Sequence, residues 1–189
     1  MQNFVEKYKS KLKFLVDEID YKTIQEIVNT LDASNKQGGK IYIIGNGGSA
    51  ATASHMVNDL GVGLKRRNIR NFNIESLADN VPVCTAIAND MGYENIFYEQ
   101  VKEKIKKEDV LIAISCSGNS LNILKAVEYG KIKEAKIIGI TGFDGGILKQ
   151  KSDISFHVQT EKGQYGLVED IHMILDHMLY TYFIEESNE

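Results

Sequence analysis

The chain has 189 residues, a net charge of −4, and hydrophobic and charged fractions of 43% and 25%. Those proportions fit one globular domain with a full-sized core, and the acidic balance argues against a nucleic-acid binder, which needs a basic face. Two cysteines are too few for a disulfide framework: Cys84 reads as core and Cys116 as a free thiol. Met1 to Leu12 alternates charges without the apolar run of a signal peptide. No stretch approaches the roughly 20 apolar residues of a membrane span, so a soluble, cytoplasmic protein is expected.

Residues 1–37 carry no strand signal. Phe4, Tyr8, Leu12, Leu15 and Val16 recur at helical spacing, as do Ile24, Ile27, Val28 and Leu31. Two helices are expected, split near Glu18 to Tyr21 and stopped by Gly38-Gly39. Their apolar faces must bury against something. They either cover the sheet of their own subunit or build an oligomer interface; the interface is the favoured use, since a helical extension ahead of a complete α/β unit has little sheet left to cover. Residues 38–189 are then the α/β core of the single domain. Strands are expected at 40–45, 72–75, 110–114, 136–140 and 154–158, and helices near 49–66, 80–88, 94–105, 119–131 and 165–186. The strands are near-continuous apolar runs, as in parallel sheets covered on both faces. The alternation predicts a doubly wound, five-stranded parallel sheet flanked by helices. Lys65-Arg-Arg67 with Arg70 is the one basic cluster and reads as a solvated helix end.

One phrase occurs twice. The first strand runs into Gly45-Asn-Gly-Gly-Ser49 and the third into Ser115-Cys-Ser-Gly-Asn-Ser120, each followed by a helix. Free N–H groups and the helix dipole favour an anion there. Ser115, Ser117 and Ser120 offer hydroxyls around Gly118, with Asn119 or Ser120 as helix cap, while Gly45, Gly47 and Gly48 make a tight turn. Neither loop fits the dinucleotide G-x-G-x-x-G or the P-loop pattern. A phosphorylated ligand at the carboxyl ends of the strands is expected.

His55 and Asp59 sit at i and i+4, on one helical face, and can share a metal or a proton. The same spacing also suits an ordinary hydrogen-bonded pair. The last helix interleaves Glu169, Asp170, His172, Asp176 and His177 with apolar residues, so its polar groups need partners. His172 and His177 lie about 140° apart and cannot serve one site. Glu169 and His177 lie about 80° apart and about 12 Å along the axis, which strains any shared ion. His157, between Phe156 and Val158, reads as structural. Asn89-Asp90 in a short connection reads as a turn or as a sugar-hydroxyl contact.

Taken in order, Gly-Asn-Gly-Gly-Ser with His55, Asn89-Asp90-Xaa-Gly, Ser-Xaa-Ser-Gly-Asn-Ser, and the late Glu-Asp-Ile-His with His177 resemble the sedoheptulose-7-phosphate (phosphoheptose) isomerases of the sugar isomerase (SIS) fold. The resemblance covers nearly the whole chain. It implies a homotetramer with active sites between subunits, a zinc ion, and aldose–ketose isomerisation of a seven-carbon sugar phosphate feeding heptose and surface-glycan synthesis. Carried over by motif, the metal ligands are His55, Asp59, Glu169 and His177. The phosphate falls on Ser115, Cys116, Ser117 and Ser120, and the sugar on Asn46, Gly47, Gly48, Ser49, Asn89 and Asp90, with Glu169 reaching it as well. Three positions depart from the family's usual residues: aspartate for glutamate at 59, glutamate for glutamine at 169, and cysteine for threonine or serine at 116.

The implied mechanism passes through a cis-enediol, with His177 as base at C1 and Asp59 as acid at C2. The rival expectations are a non-catalytic sugar-phosphate sensor, an adaptor that binds a replication initiator, or an isomerase of a different sugar phosphate. The His55/Asp59/Glu169/His177 set favours the enzyme, since an adaptor has no use for convergent metal-binding side chains.

Overall fold

A computed structural model describes residues 1–187. Five parallel strands form one sheet in the order β2-β1-β3-β4-β5: β1 (Ile41–Gly45), β2 (Ile74–Ser76), β3 (Val110–Ser115), β4 (Lys136–Phe143) and β5 (Ile154–Gln159). The register runs Ile41 to Val110 to Lys136, and Ile138 to Ile154. The helices are α1 (Gln2–Asp17), α2 (Tyr21–Lys36), α3 (Gly48–Met56), α4 (Val81–Met91), α5 (Tyr98–Val101), α6 (Leu121–Ile132), α7 (Gly146–Lys151) and α8 (Tyr165–Glu186). This is the doubly wound architecture expected.

Strand alternation divides the core in two. Ile41, Ile43, Val110, Ile112, Ile114, Ile138 and Ile140 pack under α2, α3 and α8. Tyr42, Ile44, Leu111, Ala113 and Ile137 face α5, α6 and α7 on the other side. Every residue of β1 and β3 is buried, as a strand covered on both faces requires. The strand order reverses between β1 and β3, and the loops leaving those two strands flank that crevice, where such sheets take their ligands.

The N-terminal pair divides its labour. Asp20 caps α2 by accepting from the Lys22 and Thr23 amides at 3.2 and 3.1 Å, and Ile27, Val28 and Leu31 bury against the chain's own sheet. That is the sheet-covering alternative, here taken by α2. It arises because β3 and β5 leave one face open to α2. By contrast, α1 buries only Leu15, packs on α8, and leaves Phe4, Val5 and Phe14 exposed.

Four local expectations change. The helix expected near 94–105 is a 3₁₀ turn (Tyr93–Asn95), the short α5, and a break at Glu103 in the left-handed region (φ 59°). Ile96 and Phe97 are buried with Val101 and Ile105 in one cluster, so the segment keeps a single apolar face across the break. β2 begins at Ile74 because Phe72 turns into the core edge, its ring 5.3 Å from that of Phe183. α7 was hidden by the turn glycines that precede it. Finally, Arg70 is no solvated cation: its guanidinium bonds Asp32 at 3.0 Å and Glu186 at 2.8 Å, tying α2 to the end of α8.

Candidate active site

The crevice between β1 and β3 is closed by paired amides. Asn46 Nδ2 donates to Asn122 Oδ1 at 3.0 Å, and Asn122 Nδ2 donates back to Asn46 Oδ1 at 2.8 Å. Tyr93 adds its hydroxyl to Asn46 Oδ1 at 2.9 Å. Asn46 therefore joins the two loops, and Gly47 (φ 54°) and Gly48 lie exposed beside it. Sequence reasoning missed Asn122 and Tyr93. The only signal for Asn122 was an amide at the second residue of α6, right behind the serine loop.

The second loop is held taut. Gly118 sits at φ 62° and its amide donates to Ser115 Oγ at 3.1 Å. Its carbonyl accepts from Leu148 N at 2.9 Å, so α7 buttresses the loop. Ser117 and Ser120 remain partly exposed. Ser120 occupies the N-cap position of α6 without a side-chain bond to the helix, which keeps its hydroxyl available. Ser115 is buried and lies 3.4 Å from Ser120 Oγ.

Two expected ligand contacts turn inward instead. Ser49 is buried, with its hydroxyl bonded to the Cys116 thiol. Cys116 is buried in the core cluster, and burial together with the nearby Glu169 charge pushes its thiol up to about 11. A side chain this small and apolar settles into the packed side of the loop, leaving Cys116 only its backbone to offer a phosphate. Asn89 and Asp90 stand on the last turn of α4, exposed, with Asn89 Nδ2 donating to Asp90 Oδ1 at 2.7 Å. They belong to a helix rather than to the connection expected, because α4 continues to Met91 before Gly92 (φ 95°) ends it.

Helices α3 and α8 run side by side and meet at two levels. At the upper level, beside the loops, the Glu169 carboxylate lies against Gly48; a Cβ there would come within 2.6 Å of Oε2. At the lower level, His55, Asp59, Asp176 and His177 bring one ligand atom each to within 4.8 Å of one another. His55 Nε2 is 3.5 Å from Asp59 Oδ2, 3.9 Å from Asp176 Oδ2 and 3.3 Å from His177 Nε2. Asp59 rides on a π-helical turn, Val57–Gly63, that continues α3. Such turns recur at functional sites. Thus three of the four residues expected to hold a metal converge. Glu169 stands at the loops, and Asp176 occupies the remaining corner.

Asp176 was in the sequence's dense polar helix but carried no assignment. It is fully buried, and neither carboxylate oxygen has a hydrogen-bond partner. Burial, and then the Asp59 charge, pushes its carboxyl up to about 7. His55 and His177 are exposed, so the cluster opens on one side to solvent. His172 lies apart from it, as its helical angle requires. The His172 Nε2–H donates to Thr141 O at 3.2 Å, and burial pushes the ring down to about 4. His157 is structural, bonded to Thr141 Oγ1 and Gln159 Oε1, both at 3.0 Å.

This arrangement offers an anion site in hydroxyls and amides, a carboxylate beside it, and two imidazoles with two carboxylates farther along the same helices. The SIS domain model matches residues 3–142. A phosphoheptose isomerase of Helicobacter pylori (strain P12) is 37% identical over 172 residues, 91% of this chain and 88% of that protein. Among solved structures, the phosphoheptose isomerase from Neisseria gonorrhoeae superposes with a TM-score of 0.85 at 26% identity, covering 97% of this chain and 98% of that one. The one from Francisella tularensis gives 0.84 at 26%, covering 96% and 95%. On its sequence, its sheet and its paired loops alike, this chain belongs to the SIS-domain phosphoheptose isomerases.

Proposed function

We propose that the chain interconverts sedoheptulose 7-phosphate and D-glycero-D-manno-heptose 7-phosphate through an enediol, supplying heptose for surface glycans. The observation that carries this reading is the two-level seam of α3 and α8. Gly48 lies beside the serine loop and His55 lies seven residues farther along α3, about 10 Å by helix rise. An extended seven-carbon sugar spans that interval, with its phosphate at the loop and its carbonyl end at the histidines.

Each group then has a task. Ser117, Ser120 and the amides of the loop bind the phosphate, and this remote binding fixes the sugar's orientation. Asn46, Gly47, Gly48 and Glu169 face the middle of the sugar. Two imidazoles with carboxylates of this spacing suit a zinc ion, which His55, Asp59 and His177 would hold. When bound, it polarises the carbonyl and steadies the enediolate. His177 is assigned as the base that takes the C1 proton; since a ring held through Nε2 keeps its own proton on Nδ1, it serves as base when Nε2, the nitrogen facing the cluster, is free of the metal. Asp59 returns a proton at C2 as the hydroxyl proton passes between the oxygens.

A homotetramer with sites between subunits fits the same picture. The exposed histidines sit beside exposed Met178 and Tyr182 on α8, and α1 exposes Phe4, Val5 and Phe14. We place the protein in the cytoplasm, where its two free thiols persist. The test is NMR of sedoheptulose 7-phosphate with zinc-loaded protein in D₂O. Aldoheptose signals carrying deuterium at C2 are expected, with kcat lost far more than KM is raised in His177→Ala. Substrate recovered unchanged and without deuterium overturns the proposal.

A further inference from the structure

The fourth corner of the lower cluster is occupied by a residue that the family resemblance does not assign. We infer that Asp176, and not Glu169, completes the metal site of this chain, an inference that rests on the metal reading above. Four features carry it. Asp176 is wholly buried, and both its carboxylate oxygens lack a donor. An ionised carboxylate in that state is costly unless a cation meets it. Its Oδ2 stands 3.9 Å from His55 Nε2, beside edges of 3.5 Å to Asp59 and 3.3 Å to His177. Ligands about 2.0–2.2 Å from a tetrahedral zinc lie on the order of 3.4 Å from one another; the three edges that meet at His55 Nε2 are near that length, and all four ligand atoms lie within 4.8 Å of one another.

The fourth feature is the place of Glu169. It is seven residues before Asp176 on α8, about 10 Å up the helix, with its carboxylate against Gly48. One carboxylate cannot serve both levels. The sequence exchanges thus form a set: the shorter Asp59 and the extra Asp176 close the cage, and Glu169 is released to the sugar.

The test uses metal-free full-length protein titrated with Zn²⁺ alone by calorimetry, for wild type, Asp176→Asn and Glu169→Gln. Wild type is expected to bind one zinc per chain. Asp176→Asn weakens zinc on the order of 100-fold, whereas Glu169→Gln stays within about threefold of wild type. Equal affinity of wild type and Asp176→Asn overturns the inference while leaving the metal reading intact; a wild type that takes up no zinc overturns both. Should Asp176→Asn fail to fold, the Co²⁺ absorption spectrum decides. It changes in Asp176→Glu and not in Glu169→Asp if Asp176 is the ligand, and the reverse pattern overturns the assignment.

Discussion

Replacing Gly48 with alanine separates stability from activity. Gly48 opens α3 and is outside the left-handed region, so alanine suits its backbone. In a helix that exchange contributes about 0.5–1 kcal/mol, and for a domain of this size it raises Tm by roughly 1–4 °C. The new Cβ, however, would stand 2.5 Å from Cδ and 2.6 Å from Oε2 of Glu169. Ordinary contact needs about 3.5 Å, so the carboxylate must move by on the order of 1 Å. It is the far end of a flexible side chain, and it swings aside at little cost in stability. A displacement of that size at a positioned group lowers kcat/KM on the order of 100-fold. The assay pairs isomerase turnover with thermal melting. Full activity with a raised Tm would show that Glu169 does not meet the sugar from this position. A fall in Tm of several degrees would show that the carboxylate is rigidly held and the steric argument misjudged.

Gly118→Ala should behave in the opposite way, because its Cβ meets the Gly145 carbonyl backbone and its φ is 62°. Left-handed strain of about 1–2 kcal/mol adds to overpacking of about 1–3 kcal/mol; urea unfolding within about 0.5 kcal/mol of wild type would refute it. His172 should make stability depend on pH. Its folded pKa of about 4 lies below the unfolded value of 6.5, so the stability of the neutral ring is full above pH 6.5 and drains as pH falls toward 4. Between pH 7 and 4.5, wild type should lose about 2–3 kcal/mol relative to His172→Gln, which keeps a donor for Thr141 O and cannot titrate there. Parallel urea curves for the two proteins at both pH values would refute the assignment.

The sheet was legible because its strands are written as buried apolar runs. Ile41–Gly45 and Val110–Ser115 could face little but protein on both sides, and strand-helix alternation then allows few topologies. What escaped was decided by packing. The segment after Val101 turns through Glu103 in the left-handed region, a break that the apolar spacing does not announce. Sheet covering by α2 was one of two readings left open, since the choice depends on which faces β3 and β5 leave free. A thiol and a hydroxyl in a polar-looking loop were read as ligands, yet Cys116 and Ser49 satisfy each other inside the fold.

The His55/Asp59/Asp176/His177 cluster was half legible for a geometric reason. Within one helix, the wheel correctly paired His55 with Asp59 and kept His172 apart from His177. Between helices it has no information about level. Gly48 to His55 and Glu169 to Asp176 are both seven-residue steps, which return to nearly the same face of a helix, about 20° short of two full turns. Two parallel helices with that offset form a seam whose contacts repeat every two turns. One level here holds a glycine and a carboxylate; the next holds an imidazole and a carboxylate. Glu169 and Asp176 therefore look equivalent on the wheel, and only the packing of α3 on α8 says which carboxylate meets the histidines. The strain noted from sequence, about 12 Å between Glu169 and His177 along the axis, was the trace of that second level. Asp176, adjacent to His177 in the chain, is the carboxylate that the packing brings to the histidines.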